Sequence, residues 1–340
     1  MLICKACFSD NELQAFITSL NNNGACDYCN NNNIEVINIE ELYDFFEELF
    51  ENFKLKADGE RLISKIQGNW NLFKNIDTGN RVINYVIENI DTHFQNSEEL
   101  IEFNDEILEN VNYWNILKHQ LRWERRYLTN IAYLTEDLGW DGFFESKIRI
   151  DQNIFFHRAR LHNTLGKEAY NTDEMFCPPK EISTAGRANP RGIPYLYLSD
   201  NKNTILYEIR ASYLDEVSVA TFTVKPSITD EIYISDFTET PTLFHPNEIT
   251  KKIKSTLLKQ LISKDLSKPM RRYDSELDYI PTQFICEFIK VFTGVHGIKF
   301  RSSVHITGNN LVIFDQNIME CIEVEKVEIS RLNINSRHKE

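Results

Sequence analysis

The segment from Ala185 to Arg210, AGRANPRGIPYLYLSDNKNTILYEIR, constrains the fold more than any other stretch of the chain. Gly186, Pro190, Gly192 and Pro194 punctuate its first part, and glycine and proline at that density hold a backbone in turns. Arg187 therefore belongs to a turn. Tyr195 to Leu198 is a short apolar run bounded by turn formers, which is the pattern of a strand. Asp200 to Asn203 turn the chain again, and Thr204 to Arg210 reads as a helix with Thr204 as its N-cap. Arg187, Tyr197 and Glu208 thus ride on three consecutive elements that can converge on one pocket. As ordinary surface residues, Arg187 would pair with Asp200 and Glu208 would face Arg210.

This stretch resembles the RES domain, a family named for its Arg, Glu and Ser. The family pattern is G-R-x-N-x-x-G-x-P-x-x-Y followed by an acidic residue. Gly186, Arg187, Asn189, Gly192, Pro194, Tyr197 and Glu208 fit it in order. The upstream FFHRAR, Phe155 to Arg160, resembles the family's opening strand. The downstream GIKFRSSVHITGNNLVIFD, Gly297 to Asp315, resembles its closing strand pair, with the family serine at Ser302 or its neighbour Ser303. Together these motifs cover roughly residues 150 to 316.

The resemblance implies an ADP-ribosyltransferase-like α+β fold and consumption of NAD by cleavage of its nicotinamide–ribose bond. The acceptor would be inorganic phosphate, water or a macromolecule. Bond cleavage of this kind passes through an oxocarbenium-like state that a carboxylate stabilises, which is the role implied for Glu208. Arginine holds phosphate best, so Arg187 and Arg158 are the candidates for the pyrophosphate or the incoming phosphate. Tyr197 would pack on nicotinamide or hydrogen-bond through its hydroxyl. Ser302 would bond the carboxamide or an acceptor phosphate. Asn189, Ser303 and His305 complete the substrate-binding set. The resemblance further implies a toxin or defence effector with an antitoxin or regulatory protein partner; a non-enzymatic zinc-ribbon adaptor is the alternative, a homo-oligomer is expected, and an N-terminus without a basic region followed by an apolar one points to the cytoplasm.

Four cysteines cluster near the N-terminus as Cys4-x2-Cys7 and Cys26-x2-Cys29. Each knuckle aims two thiolates at one metal, and two knuckles close a tetrahedron around structural zinc with no open position. Disulfides are the alternative, which a reducing cytoplasm disfavours. The remaining cysteines, Cys177, Cys286 and Cys321, are scattered; Cys286 sits in an apolar helical pattern and reads as core. The asparagine runs Asn21 to Asn23 and Asn30 to Asn33 read as polar loops.

Residues 39 to 148 carry helical periodicity. Leu42, Phe45, Phe46, Leu49, Phe50 and Phe53 make one apolar face, and Val82, Ile83, Val86, Ile87 and Ile90 another. Breaks fall at Asn75 to Gly79 and Asp91 to Ser97, giving a small helical bundle. The stretch WNILKHQLRWERRYL, Trp114 to Leu128, resembles the HEPN-like helical domain often found ahead of RES domains. Catalytic HEPN ribonucleases place an arginine ahead of a histidine on one helix. Here Lys118 and His119 precede Arg122, Arg125 and Arg126, so the order is reversed and the region reads as a packing domain with a solvated cationic face.

The expected fold is therefore α+β: a zinc knuckle over 1–35, a helical domain over 36–148 and a RES catalytic domain over 149–330. The net charge of −14 repels duplex nucleic acid at long range, since the only basic patches are Arg122 to Arg126 and Lys268 to Arg272. No apolar run is long enough to span a bilayer. No G-x-G-x-x-G after a strand, Walker A, G-x-S-x-G or H-E-x-x-H motif occurs. NAD would therefore enter as a substrate to be consumed. The polar stretch from Asp265 to Asp278 reads as a surface loop, a lid or a partner contact, and the tail after Ile329 as frayed.

Overall fold

The computed structural model describes residues 1–144, 147–245, 248–268, 276–305 and 307–331. Pro269 to Arg272, at the centre of the expected loop, and residues 332–340 of the tail lie outside the described residues. The chain forms two compact units, Met1–Trp114 with Glu239–Leu258, and Asn115–Thr238 with Lys259–Glu340.

In the first unit, strands β1 (Leu2–Cys4), β2 (Asn23–Gly24) and β3 (Ile34–Asn38) form a small antiparallel sheet in the order β1-β3-β2. Helix α1 (Asn11–Ser19) is capped by the buried Asp10, whose Oδ1 accepts from Glu12 N and Leu13 N at 3.0 Å each. Helix α2 (Tyr43–Glu51) buries Phe45, Phe46, Leu49 and Phe50, as its spacing predicts. Phe53 does not continue that face. It opens strand β4 (Phe53–Arg61), because F-K-L-K-A-D alternates with period two and suits a strand. Helix α3 (Leu62–Trp70) follows. Helix α4 (Ile76–Ile87) buries Val82, Ile83, Val86 and Ile87. Asn75, expected as part of a break, caps α4 by accepting from Thr78 N at 2.8 Å. Strand β5 (Leu100–Phe103) pairs antiparallel with β4, Phe53 opposite Phe103. Helix α5 (Asp105–Trp123) then begins. One hydrophobic cluster holds Cys4, Cys7 and Cys26 together with the aromatic face of α2 and Trp70.

The second unit is built on β6 (Lys147–Ile150), β7 (Phe156–Leu161), β8 (Leu196–Ser199), β9 (Glu216–Val224), β10 (Ile232–Asp236), β11 (Gly297–Arg301), β12 (Asn309–Ile313) and β13 (Met319–Glu328). Among the described residues they make one sheet in the order β13-β9-β7-β8-β12-β11-β10-β6, antiparallel except for β10 with β11. Its helices are α6 (Lys202–Glu208), the end of α7 (Ile249–Ser267) and α8 (Ile280–Thr293). Strand periodicity sorts the side chains. Phe156, Leu196, Leu198, Ala220, Phe222, Leu311 and Ile313 share one core, covered by Met175 and Phe176. Ala159, Val217 and Val219 face the other way, against Ile205 and Leu206 of α6. Cys286 is fully buried in α8, as expected of a core thiol.

At the centre of the sheet, β7 and β8 share a single registered pair, His157 with Ser199, whereas β8 and β12 pair over four residues. No helix among the described residues is long and apolar enough to cross a membrane.

Candidate functional site

The turn carrying Arg187 is held from below by β8. Tyr197 Oη donates to Asn189 Oδ1 at 2.9 Å and accepts from Ala188 N at 3.0 Å. Asn189 Nδ2 in turn bonds the Thr184 and Pro190 carbonyls, both at 3.1 Å. From α8, Thr282 Oγ1 donates to Arg187 O at 2.7 Å and Gln283 Nε2 to Gly186 O at 2.8 Å. Burial pushes the Tyr197 phenol well above its usual range, so it stays a neutral hydroxyl. Gly186 is needed here for room. A Cβ at that position would lie 2.5 Å from Asn189 Oδ1 and 2.6 Å from Tyr197 Oη.

Arg187 does not pair with Asp200, which instead accepts from Asn309 N and Nδ2. Its Nη1 donates to the Asp265 and Leu266 carbonyls at 3.3 and 2.9 Å, at the C-terminal end of α7 where the helix dipole favours a cation. Lys118 Nζ bonds the Asp265 carboxylate at 2.8 Å, and Arg122 Nη2 pairs with Asp278 at 3.1 Å. Arg122, expected on a solvated face, is thus a partly buried ion-pair partner. His119 pairs with Glu124 at 3.1 Å.

Glu208 is the last residue of α6, which starts two residues earlier than expected, with Asn201 as its cap. Its Oε1 accepts from Ser302 Oγ at 2.7 Å and from Asn310 Nδ2 at 2.6 Å. Oε2 has no protein partner among the described residues. The Ser302 hydroxyl is aimed by its own acceptor bonds, from Val304 N and His305 N at 3.2 Å each. Register places Val312 opposite Tyr197 and Asn310 opposite Ser199. Asn310 and Tyr197 are therefore diagonal neighbours on one face, about 7 Å apart at Cα. Two hydrogen-bonded groups, Tyr197–Asn189 and Glu208–Ser302–Asn310, share that face.

The model of the RES domain family matches residues 157–335, more than half of the 340 in the chain. The chain belongs to the RES domain family. Comparison with curated proteins and with solved structures gives no match.

This RES domain brings Glu208 and Ser302 into direct contact and holds Arg187 in the turn that Tyr197 braces. Ser303 is exposed, whereas Ser302 is buried and reaches Glu208. His305 Nδ1 bonds Thr204 Oγ1 at 2.7 Å and its ring stacks on Tyr207 at 5.3 Å, so it braces the closing loop on α6. Thr204 is thus buried under that loop rather than capping the helix. Arg158 Nη1 donates to Tyr197 O at 3.3 Å, across the opening between β7 and β8. Asn310 was not singled out by sequence reasoning. Its signal is the polar pair Asn309-Asn310 at the start of an otherwise apolar closing strand.

In the other unit, Cys4, Cys7, Cys26 and Cys29 bring their sulfurs within 4.8 Å of one another. Three of the separations are 3.5, 3.7 and 3.8 Å. A zinc tetrahedron with bonds of about 2.3 Å has edges of about 3.8 Å, so the set fits zinc and is too open for disulfides. Cys26 Sγ accepts from Cys4 N and Cys29 N at 3.3 and 3.5 Å, the N–H···S bonds of a knuckle. Burial raises the Cys26 thiol, but backbone donors from Cys29, Cys4 and Tyr28 outweigh it and bring it to about 7. Burial and the Cys29 contact raise Cys4 to about 11.

Purified protein is expected to carry one zinc per chain by elemental analysis, and Cys7→Ser to lose it together with much of the unit's thermal stability. Gly186→Ala is expected to break the Tyr197–Asn189 bond and cost about 1–3 kcal/mol in denaturant unfolding.

Proposed function

We propose that this protein cleaves the nicotinamide–ribose bond of NAD, with inorganic phosphate or water as acceptor, as a toxin or defence effector. Membership in the RES family supports an NAD-directed activity of toxin-like kind. The observation that carries the reading is Glu208. It has one carboxylate oxygen fixed by Ser302 and Asn310 and, among the described residues, no protein partner for the other.

A glycosidic bond that loosens toward an oxocarbenium ion needs a negative charge near the ribose and little covalent assistance. Glu208 Oε2 would accept from a ribose hydroxyl and face the developing positive charge. Ser302 and Asn310 act through Glu208 by holding its other oxygen, so that no reorganisation is needed as charge develops. Tyr197 and Asn189 keep the Arg187 turn closed beside the site, and the neutral phenol of Tyr197 offers an apolar ring face to nicotinamide. Arg158, expected to meet the phosphates, projects from the other face of β7 with Phe156 and reaches only the Tyr197 carbonyl across the opening.

The test is NAD turnover by the full chain, with and without phosphate, with products identified by mass spectrometry. Glu208→Gln is expected to lower turnover by about 10²–10³. Ser302→Ala is expected to lower it by about tenfold, because the carboxylate remains but loses one of its two holders. ADP-ribose phosphate as product identifies phosphorolysis, and free ADP-ribose identifies hydrolysis. Label fixed to a macromolecule would replace both with ADP-ribosyl transfer. Turnover unaffected by Glu208→Gln would remove the site from the reaction.

A further inference from the structure

A knob of exposed apolar side chains stands at the end of α5. Trp123, Tyr127 and Leu128 are 64, 95 and 85% exposed. The segment that carries them is held, because it closes the helix: Glu124 N and Arg125 N both donate to Gln120 O at 2.9 Å, and Arg126 Nε donates to Leu121 O at 3.2 Å. An open recess of about 490 Å³ runs along Leu121 to Leu128. Apolar side chains fixed in water gain free energy when a second surface covers them, and tryptophan, tyrosine and arginine are the residues that most often carry such contacts. Arg125 sits within the knob, exposed and without a protein partner among the described residues.

The knob reverses the sign of the chain around it. Residues 122–128 hold three arginines and one glutamate, whereas the whole chain has 51 acidic residues to 37 basic ones. Arg122 is paired with Asp278 and Glu124 with His119, so Arg125 and Arg126 set the charge of the exposed tip. A matching surface lies on α2. Glu40, just before that helix, and Asp44, Glu47 and Glu51 on it are spaced by four, three and four residues, so they share one side. All four are exposed, opposite the buried Phe45, Phe46, Leu49 and Phe50. Among the described residues none of the four forms an ion pair. Like charges at this spacing repel one another, and cations brought alongside relieve the repulsion.

We propose that the protein self-associates by seating the Trp123–Leu128 knob of one copy against the acidic side of α2 of a second copy. Trp123 and Tyr127 supply the area, and Arg125 and Arg126 meet the row of carboxylates. Charge selects this occupant over nucleic acid, which a chain of net charge −14 repels. Each copy carries one knob and one acidic side, so the contact can be made twice about a two-fold axis. None of the residues around Glu208 takes part, and the proposal stands or falls apart from the NAD reading.

The experiment is sedimentation equilibrium of the full chain over a range of concentrations, at low and high salt, for the wild type, Trp123→Ser, Arg125→Glu, Glu47→Lys and an equimolar mixture of the two charge variants. Wild type is expected to associate, and more weakly as salt rises. Each variant alone is expected to dissociate at least about tenfold more readily. The mixture is expected to recover association, because the reversed knob then meets the reversed side of α2 while the two native surfaces still meet each other. A wild type that stays monomeric overturns the proposal, as does association that none of the variants weakens. Loss of association in Arg125→Glu without loss in Glu47→Lys, and without recovery in the mixture, overturns α2 as the seat of the knob. All three positions are exposed, and thermal melts of the variants establish that they fold. Should Trp123→Ser fail that check, the two charge variants and their mixture decide.

Discussion

A carboxylate can steer a developing charge only if it is held in one direction, and holding Glu208 organises the closing half of the RES domain. Its two donors come from opposite ends of one loop, Ser302 just after β11 and Asn310 at the start of β12. The loop must therefore return on itself over the end of α6. His305 fastens it there through Thr204. Gly308 permits the approach, since a Cβ at that position would overlap the Thr204 side chain. Both donors load the same oxygen and neither is a cation, so among the described residues the other oxygen has no protein partner.

A second brace runs through Tyr197. Its hydroxyl serves at once as donor to Asn189 and acceptor from Ala188, so the Arg187 turn is pinned to the central strand β8. The same turn is tied to α8 by Thr282 and Gln283 and to α7 by Arg187 itself. The strand that carries Tyr197 faces β12 on one side with full pairing and β7 on the other with one pair. The opening between β7 and β8 is where Arg158 Nη1 reaches the Tyr197 carbonyl.

Much of this was legible in the sequence where local chemistry dictates local structure. The Gly/Pro turn, the strand with Tyr197 and the helix ending at Glu208 follow from residue types that favour one conformation each. The four cysteines converge as their spacing requires. What sequence could not order was anything set by long-range pairing. Which of Ser302 and Ser303 reaches Glu208 is set by one residue of register. Asn310 owes its contact with Glu208 to the pairing of strands distant in sequence. Phe53 extended a helical face on paper because its spacing from Phe50 fits a helix turn, yet the alternation that follows it and the partner Phe103 make it a strand. Arg122 looked solvated because Asp278, its counter-charge, lies far along the chain, whereas Arg125 and Arg126 are exposed as expected.

The central proposal is that NAD is held with its ribose at Glu208 and its nicotinamide at Tyr197. The most direct measurement is a structure of the Glu208→Gln protein with intact NAD. The account predicts a ribose hydroxyl within hydrogen-bond distance of residue 208 and nicotinamide against Tyr197. A dinucleotide bound away from the face that carries Tyr197, Glu208 and Asn310 would contradict it.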